Sequence, residues 1–223
     1  WTEPRGVLAG YHWPQYSIHR GQLQMLLYET LVERAGADCI KTGWAAQSYD
    51  DTSAGVVLNL RNAGDGEAMS VTGSVLVGAD GIHSALRKQL HPEEGEPKWG
   101  GAVLWRGTTK AKPFRGQAAM ALIGHETQRF VAYPISQADK KTGLATINWI
   151  AELTQDPAAG WRKEDWNRGA DRQDFAPMFA DWSFDWIDIP DLISRADEIY
   201  EYPMVDRDPV STWLDGAMVL MGD

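Results

Sequence analysis

The chain has 223 residues, with 21 Lys and Arg against 31 Asp and Glu, a formal charge of -10, and 43% hydrophobic and 23% charged residues. That is the composition of a globular protein with room for one or two domains, and without a basic run to neutralise phosphates it excludes nucleic acid as a partner. No apolar run approaches the roughly 20 residues of a membrane helix, and the single Cys39 excludes an internal disulfide framework and reads as a small buried hydrophobe, so a cytoplasmic protein with no membrane partner is expected.

From the N-terminus, residues 7–13 are expected to form a strand after a start rich in aromatics and turn formers. Leu23, Leu26, Leu27 and Leu31 then fall on one helical face, and Gly36 after Arg34 is a stop signal, which predicts a helix from about Gly21. Arg20 stands at its N-terminus, where the helix dipole disfavours a cation. It reads either as a solvated cation paired with a carboxylate or as part of an anion site together with free backbone N–H groups. A short strand over 38–42 leads to Trp44, and strand-like runs at 47–49, 56–61 and 68–77, separated by turn-rich stretches at 50–55 and 62–66, predict a β-meander. Trp44, at the entrance of the meander, is core filler or a ring contact.

The apolar run 74–77 followed by Gly78-Ala79-Asp80-Gly81 and by Ile82, Ala85, Leu86 and Leu90 at helical spacing predicts strand, tight turn and helix. In an open α/β sheet ligands settle at the carboxyl ends of such strands. Here Asp80 offers an acid, Gly81 a close approach to the backbone, and Arg87 a cation. The polar, proline-bearing stretch 91–97 marks a domain crossing, and four strand-like runs at 101–109, 118–124, 128–136 and 144–151 predict an antiparallel sheet. One face of such a sheet can roof a flat ligand, because aromatic side chains stack on planar rings. Trp105, Arg106, Phe130, Tyr133 and Trp149 are the candidates, with the core as the alternative for the tryptophans. Residues 161–195 have a helical texture, carried by Phe175, Met178, Phe179 and Trp182, with Asp188 and Pro190 opening a further helix that ends near Arg195. A strand over 199–204 carries Tyr202 and Pro203, and the apolar run 217–221 delivers Gly222 and Asp223 to the same sheet edge as Asp80. The histidines are scattered, so no metal site is predicted, and no G-x-S-x-G elbow supports hydrolase chemistry.

The stretch VGADGIHSALR at 77–87 closely resembles the second dinucleotide signature of the FAD-dependent aromatic hydroxylases, the single-component flavoprotein monooxygenases. SIHRGQL at 17–23, WRG at 105–107, YPI at 133–135, YPMVDRDP at 202–209 and GAMVLMGD at 216–223 resemble the same family, most of all its phenazine-modifying members. The resemblance implies a mixed α/β fold. A Rossmann-like parallel sheet with a β-meander would bind FAD through 17–90 and 197–223, and an antiparallel-sheet domain would bind substrate through 1–16 and 91–196. It places Arg20 near the FAD pyrophosphate, Trp44 near the adenine, Asp80, Gly81 and Arg87 along the dinucleotide, and Gly222 and Asp223 on ribityl or ribose hydroxyls. Trp105, Arg106, Tyr133, Tyr202 and Pro203 would face the substrate, and no side chain is assigned a catalytic role.

The activity implied is reduction of FAD by NAD(P)H, reaction with O2 to a flavin C4a-hydroperoxide, and transfer of one oxygen to a planar aromatic or N-heteroaromatic substrate, phenazine-like or an aryl carboxylate. The family's G-x-G-x-x-G turn and the residues beyond its Gly-Asp pair are not in this sequence. The chain therefore reads as an internal fragment, expected to be inactive alone. A flavin-dependent halogenase or reductase of the same superfamily, and a non-catalytic aromatic-ligand-binding protein, stand as alternatives. The halogenase pattern W-x-W-x-I-P is approached at 185–190, but Asp185 and Ile187 occupy the tryptophan positions.

Overall fold

The computed structural model describes residues 1–156, 158 and 168–222. In chain order the elements are α1 (Arg20–Ala35), β1 (Trp44–Thr52), β2 (Gly55–Asn62), β3 (Ala68–Gly73), β4 (Leu76–Gly78), α2 (Ala85–Leu90), β5 (Lys98–Ala111), β6 (Ala121–His125) and β7 (Gln128–Pro134). They continue with β8 (Ala145–Thr154), β9 (Ser183–Phe184), β10 (Ile187–Asp188), α3 (Ile189–Ser194), β11 (Ile199–Asp206), β12 (Leu214–Asp215) and β13 (Met218–Leu220). The fold is mixed α/β, as the sequence predicts. The chain divides into two compact units, Trp1–Glu29 with Gly100–Met204, and Thr30–Trp99 with Val205–Asp223. None of the described helices is long and apolar enough to cross a membrane.

In the unit that contains Thr30–Trp99, β1, β2 and β3 form the predicted antiparallel meander. β13 pairs in parallel with β4, so that Leu220 lies opposite Gly78 and both strands end at one edge. This parallel pairing joins segments far apart in sequence, and apolar burial holds it. Tyr49, Val56, Leu86, Met218 and Leu220 make one core, ringed by Leu58, Leu76 and Leu90. The Tyr49 hydroxyl donates to Asp215 Oδ2 at 2.6 Å, while Gln89 bridges its backbone with bonds of 2.9 and 2.7 Å. α2 is thereby tied to the meander.

In the other unit the order β11-β5-β8-β7-β6 makes a five-stranded sheet. β5 pairs with β8, β8 with β7 and β7 with β6, all antiparallel. Strand periodicity sends alternate residues to opposite faces. One face packs Trp105, Trp149 and Phe130 against Phe175 and Phe179, with the Trp105 and Phe175 rings stacked 4.9 Å apart. The Trp149 indole donates to Thr109 Oγ1 at 3.0 Å, and Thr109 donates onward to the Leu192 carbonyl at 2.6 Å, which ties α3 to the sheet.

Three local expectations are corrected. Residues 7–13 form no strand: a 3-10 helix runs over Gly6–Ala9, closed by Gly10 in the left-handed region at φ 88°, so the chain turns instead of extending. Residues 38–42 are replaced by a 3-10 turn over Ala37–Cys39, in which Cys39 is exposed and its thiol donates to the Gly36 carbonyl at 3.0 Å. Of the helical stretch expected over 161–195, residues 161–167 lie outside the described residues. The remainder holds short 3-10 turns over Arg172–Asp174 and Ala176–Phe179 before α3. Pro177, which has no N–H to give, interrupts a continuous helix there. Phe175 and Phe179 still reach the core, while Met178 is exposed.

α1 and α3 form where they are expected. Asp188 caps α3 by accepting from the Asp191 N–H at 3.0 Å. α1 begins at Arg20 and ends at Ala35, yet it buries none of its residues.

Candidate active site

The turn after β4 is built by its own acid. Asp80 Oδ1 accepts from the Ser84 hydroxyl at 2.5 Å, and Oδ2 accepts from the N–H groups of Ala85 at 2.9 Å and Leu86 at 3.4 Å. Ser84 in turn caps Arg87 N–H at 2.9 Å. The carboxylate is thus spent on the first turn of α2, where its charge suits the helix dipole. Gly81 holds φ 82°, a conformation that L side chains rarely adopt, and a Cβ there would meet nothing within 4 Å. The turn therefore presents open backbone to whatever approaches it.

Gly222, at φ 108° and likewise in open space, follows β13 at the same edge, where the Met221 N–H bonds the Gly78 carbonyl at 2.8 Å. Asp223 lies outside the described residues. The crevice lined by Gly78, Asp80, Gly81, Ser84, Trp213 and Met221 has a volume of about 10 Å³. That admits a water at most, so a dinucleotide could lie only across the turn and not inside it. The glycine backbone suits such an approach, so these residues fit a dinucleotide cofactor.

Arg87 lines the same crevice, but its guanidinium is engaged by protein partners. Its side chain is 7% exposed, and Nε lies 2.9 and 3.2 Å from the two Glu94 oxygens. Its Nη2 donates to Glu94 Oε1 at 2.5 Å and to the Asp208 carbonyl at 3.0 Å. Trp213 stacks on the guanidinium 5.9 Å away. Arg207 completes the group, donating to the Ile82 carbonyl at 2.7 Å, to Glu94 at 3.3 Å and to the Gly95 carbonyl at 2.9 Å. The hydrogen bond to Arg87 holds the Glu94 carboxyl below the usual carboxylate range against the opposing effect of burial, and the charges of Arg87, Arg207 and His91 add to it. Sequence reasoning missed Glu94. The only signal for it was an acid in a short linker seven residues from an arginine. Trp44 opens β1 opposite Asn62 and is half-buried.

The second cluster lies on the five-stranded sheet, on the face opposite the aromatic core. Arg106 pairs with Ile150 across β5 and β8, and Asn148, two residues along, pairs with Tyr133 of β7. Tyr202 of β11 lies under the Arg106 guanidinium, 4.6 Å from ring centre to Cζ. Burial lowers the pKa of Arg106; Tyr133 opposes this and the charge of Arg20 adds to it. Arg20 itself is exposed, at the first residue of α1. Of the residues expected on this face, the structure brings Arg106, Tyr133 and Tyr202 together. Trp105 points to the other side, 2% exposed, with its indole N–H on Glu201 at 3.0 Å. Pro203, next to Tyr202 on β11, alternates away from it. A separate cavity of about 630 Å³ lies where β7 ends, lined by Gln15, Tyr16, Ser17, Gln117, Pro134 and Gln137. It has the size of a small-molecule site but carries no charged group.

The family described as FAD binding domain matches residues 13–201. This chain belongs to that family. A phenazine 1,6-dicarboxylic acid hydroxylase of Lysobacter antibioticus is 42% identical to this chain, over 100% of this chain and 55% of its own length. A 3-amino-4-hydroxybenzoate 2-monooxygenase of Streptomyces platensis is 30% identical over 94% of the chain and 48% of its own length. The resemblance to FAD-dependent aromatic hydroxylases read from the sequence is borne out, and FAD is the family's cofactor. The chain spans about half the length of these curated relatives. Among solved structures, a salicylate hydroxylase substrate complex is similar at a TM-score of 0.65 and 20% identity, covering 92% of this chain and 50% of its own. CmlS, a flavin-dependent halogenase, is similar at 0.62 and 16%, covering 92% and 35%. At such identities these two likenesses speak for the fold alone.

Proposed function

We propose that the protein takes part in FAD- and NAD(P)H-dependent monooxygenation of a planar aromatic or N-heteroaromatic compound, phenazine-like or an aryl carboxylate. The observation that carries this reading is the 42% identity along the whole chain to a hydroxylase named for a phenazine dicarboxylic acid. When bound, the flavin supplies the electron transfer and oxygen chemistry, and the protein binds, orients and excludes water. The open backbone at Gly81 and Gly222 takes the dinucleotide, with Arg20 and Trp44 as further contacts to it and Asp223 as the acid after Gly222. Asp80 holds the turn through α2, and Arg87 holds it through Glu94. The unit that contains Gly100–Met204 takes the substrate.

The test incubates the full-length, FAD-loaded enzyme with NADH or NADPH, O2 and a panel of phenazine, benzoate and pyridine acids, and follows nicotinamide oxidation, O2 uptake and product mass together. A product heavier by one oxygen is expected. A chlorinated product would move the protein to the halogenases, a reduced one to the reductases, and binding without turnover to ligand-binding proteins.

Arg20→Ala is expected to weaken FAD retention about tenfold, the size of one charge-assisted hydrogen bond. Fluorescence titration of the apoprotein with FAD checks this. An unchanged flavin affinity with weakened binding of the aromatic acid would place Arg20 at the substrate.

A further inference from the structure

The cavity of about 630 Å³ at the end of β7 takes no part in the site built on Gly81 and Gly222. Three segments enclose it: residues 15–17 before α1, 117–118 after β5, and 134–138 around the end of β7. Pro134 and Ile135 are buried and give it an apolar wall. The β7 and β8 pairing continues along that wall, where the Ile135 N–H donates to the Thr146 carbonyl at 2.8 Å and the Thr146 N–H donates to Ser136 Oγ at 2.9 Å. Ser136 donates onward to the Gln137 carbonyl at 3.1 Å, so its hydroxyl holds the wall in place. On the other side Arg115 and Gly116, at φ 51° and 95°, turn the chain just before Gln117.

Three amides are left over. Gln15, Gln117 and Gln137 reach the cavity from the three separate segments, and among the described residues none of their side chains makes a hydrogen bond. Elsewhere glutamine amides are used within the protein: Gln89 donates to the Tyr49 carbonyl at 2.7 Å and Gln128 to the Met178 carbonyl at 2.6 Å. The Tyr16 ring, 81% exposed, lines the same cavity, and no lysine, arginine, histidine, aspartate or glutamate does. A carboxylate or phosphate placed there would give up hydration without meeting a counter-ion, in a chain whose formal charge is -10. A neutral ring has no such cost. Each glutamine amide carries a donor and an acceptor side by side, and the group that answers both at once is another amide, with the same pair in reverse. The apolar wall and the Tyr16 ring suit the flat remainder of such a ligand.

We propose that this cavity is a binding site for an uncharged planar ring bearing a primary carboxamide, held by the amides of Gln15, Gln117 and Gln137. Two kinds of molecule carry that chemistry: the reduced nicotinamide ring of NAD(P)H, and an aromatic compound whose carboxyl group has been amidated. The assignment concerns binding alone and does not rest on the proposed oxygenation.

The experiment titrates the full-length, FAD-loaded enzyme with benzamide, N,N-dimethylbenzamide and benzoate. It follows the glutamine side-chain amide resonances, assigned by substitution, and measures affinity by calorimetry. Benzamide should shift the resonances of Gln15, Gln117 and Gln137 and leave those of Gln89 and Gln128 in place. It should bind at least about tenfold more tightly than the other two probes, which lack the amide donors. Gln117→Leu and Gln137→Leu should each weaken benzamide about fivefold, with flavin absorbance and the thermal midpoint unchanged. Absence of saturable binding, equal binding of the three probes, or unchanged benzamide affinity in the double variant would overturn the proposal. Two competition arms separate the sources. Displacement of benzamide by NADH, with a raised KM for NADH and an unchanged kcat in the double variant, assigns the site to nicotinamide. Displacement by phenazine-1-carboxamide and not by NADH assigns it to an aromatic carboxamide. Displacement by neither would make benzamide an adventitious occupant and overturn the assignment. Carboxamide binding without any oxygenated product would sink the proposed function and leave this site standing, whereas oxygenation without carboxamide binding would do the reverse.

Discussion

Glu94→Ala is expected to lower the free energy of unfolding by about 3 kcal/mol, the low end of the cost of breaking a buried ion pair, because Glu94 retains 13% exposure. The loss comes less from the missing attraction than from what stays behind. The Arg87 guanidinium, 7% exposed, would keep its charge with the Asp208 carbonyl and the Trp213 ring as its remaining partners. Arg207 would lose its carboxylate as well.

Glu94→Gln should cost less, about 2 kcal/mol, since the amide oxygen can still accept a hydrogen bond. The Glu94 carboxyl is held below its ordinary value of about 4.3. Its contribution is therefore complete above that value and is lost as pH falls through the lower folded-state value. The gap between the unmodified protein and Glu94→Gln should be full at pH 7 and shrink progressively as pH falls below about 4.3. Urea midpoints at neutral and acid pH read this directly, and a gap that persists undiminished below pH 3 would show that the loss is not electrostatic. Since Arg207 also bonds the Ile82 carbonyl, the same variant should loosen the turn that carries Gly81, seen as faster amide exchange at residues 81–85.

Gly107→Ala is expected to cost about 3 kcal/mol, as much as overpacking commonly does. A Cβ on Gly107 would fall inside contact with Trp149 Cζ2 and 2.8 Å from Cε2. The indole cannot retreat. It is fully buried, lies 5.8 Å from Phe130 and 6.3 Å from Phe175, and is anchored by its N–H on Thr109. In a Trp149→Leu background, itself destabilised by about 3 kcal/mol, the added methyl should cost less than about 1 kcal/mol. Equal costs in the two backgrounds would show that the close approach to the indole is not the cause.

The strand, turn and helix around Asp80 were legible because each of their signals is local. Gly81 supplies the left-handed turn, Asp80 and Ser84 sit at capping distance from the first turn of α2, and the apolar spacing needs no distant partner. The meander and the β6-β7-β8 part of the antiparallel sheet were legible for the same reason, since turn residues separate strands that pair with their neighbours in sequence, whereas β5 pairs with β8 and lies beside β11, far along the chain. Where two local signals competed, as at residues 7–13 and 38–42, short 3-10 turns flanked by a glycine in the positive-φ region, Gly10 after the first and Gly36 before the second, won over weak strand propensity.

What the sequence by itself determined is the kind of fold, the family, and the parity of each strand: Trp105 and Arg106, being adjacent on β5, had to face opposite ways. Which of the two faces the core was decided only in three dimensions, by Phe175 and Phe179 packing onto Trp105, Trp149 and Phe130. That packing consigns Trp105 to the interior and leaves Arg106, Asn148, Tyr133 and Tyr202 on the other side. Arg87 shows the same limit. A cation after a glycine turn looks like a ligand contact in sequence, but its partner at Asp208 is 121 residues away, and whether a charge meets a ligand or another side chain depends on which distant segment the fold brings beside it.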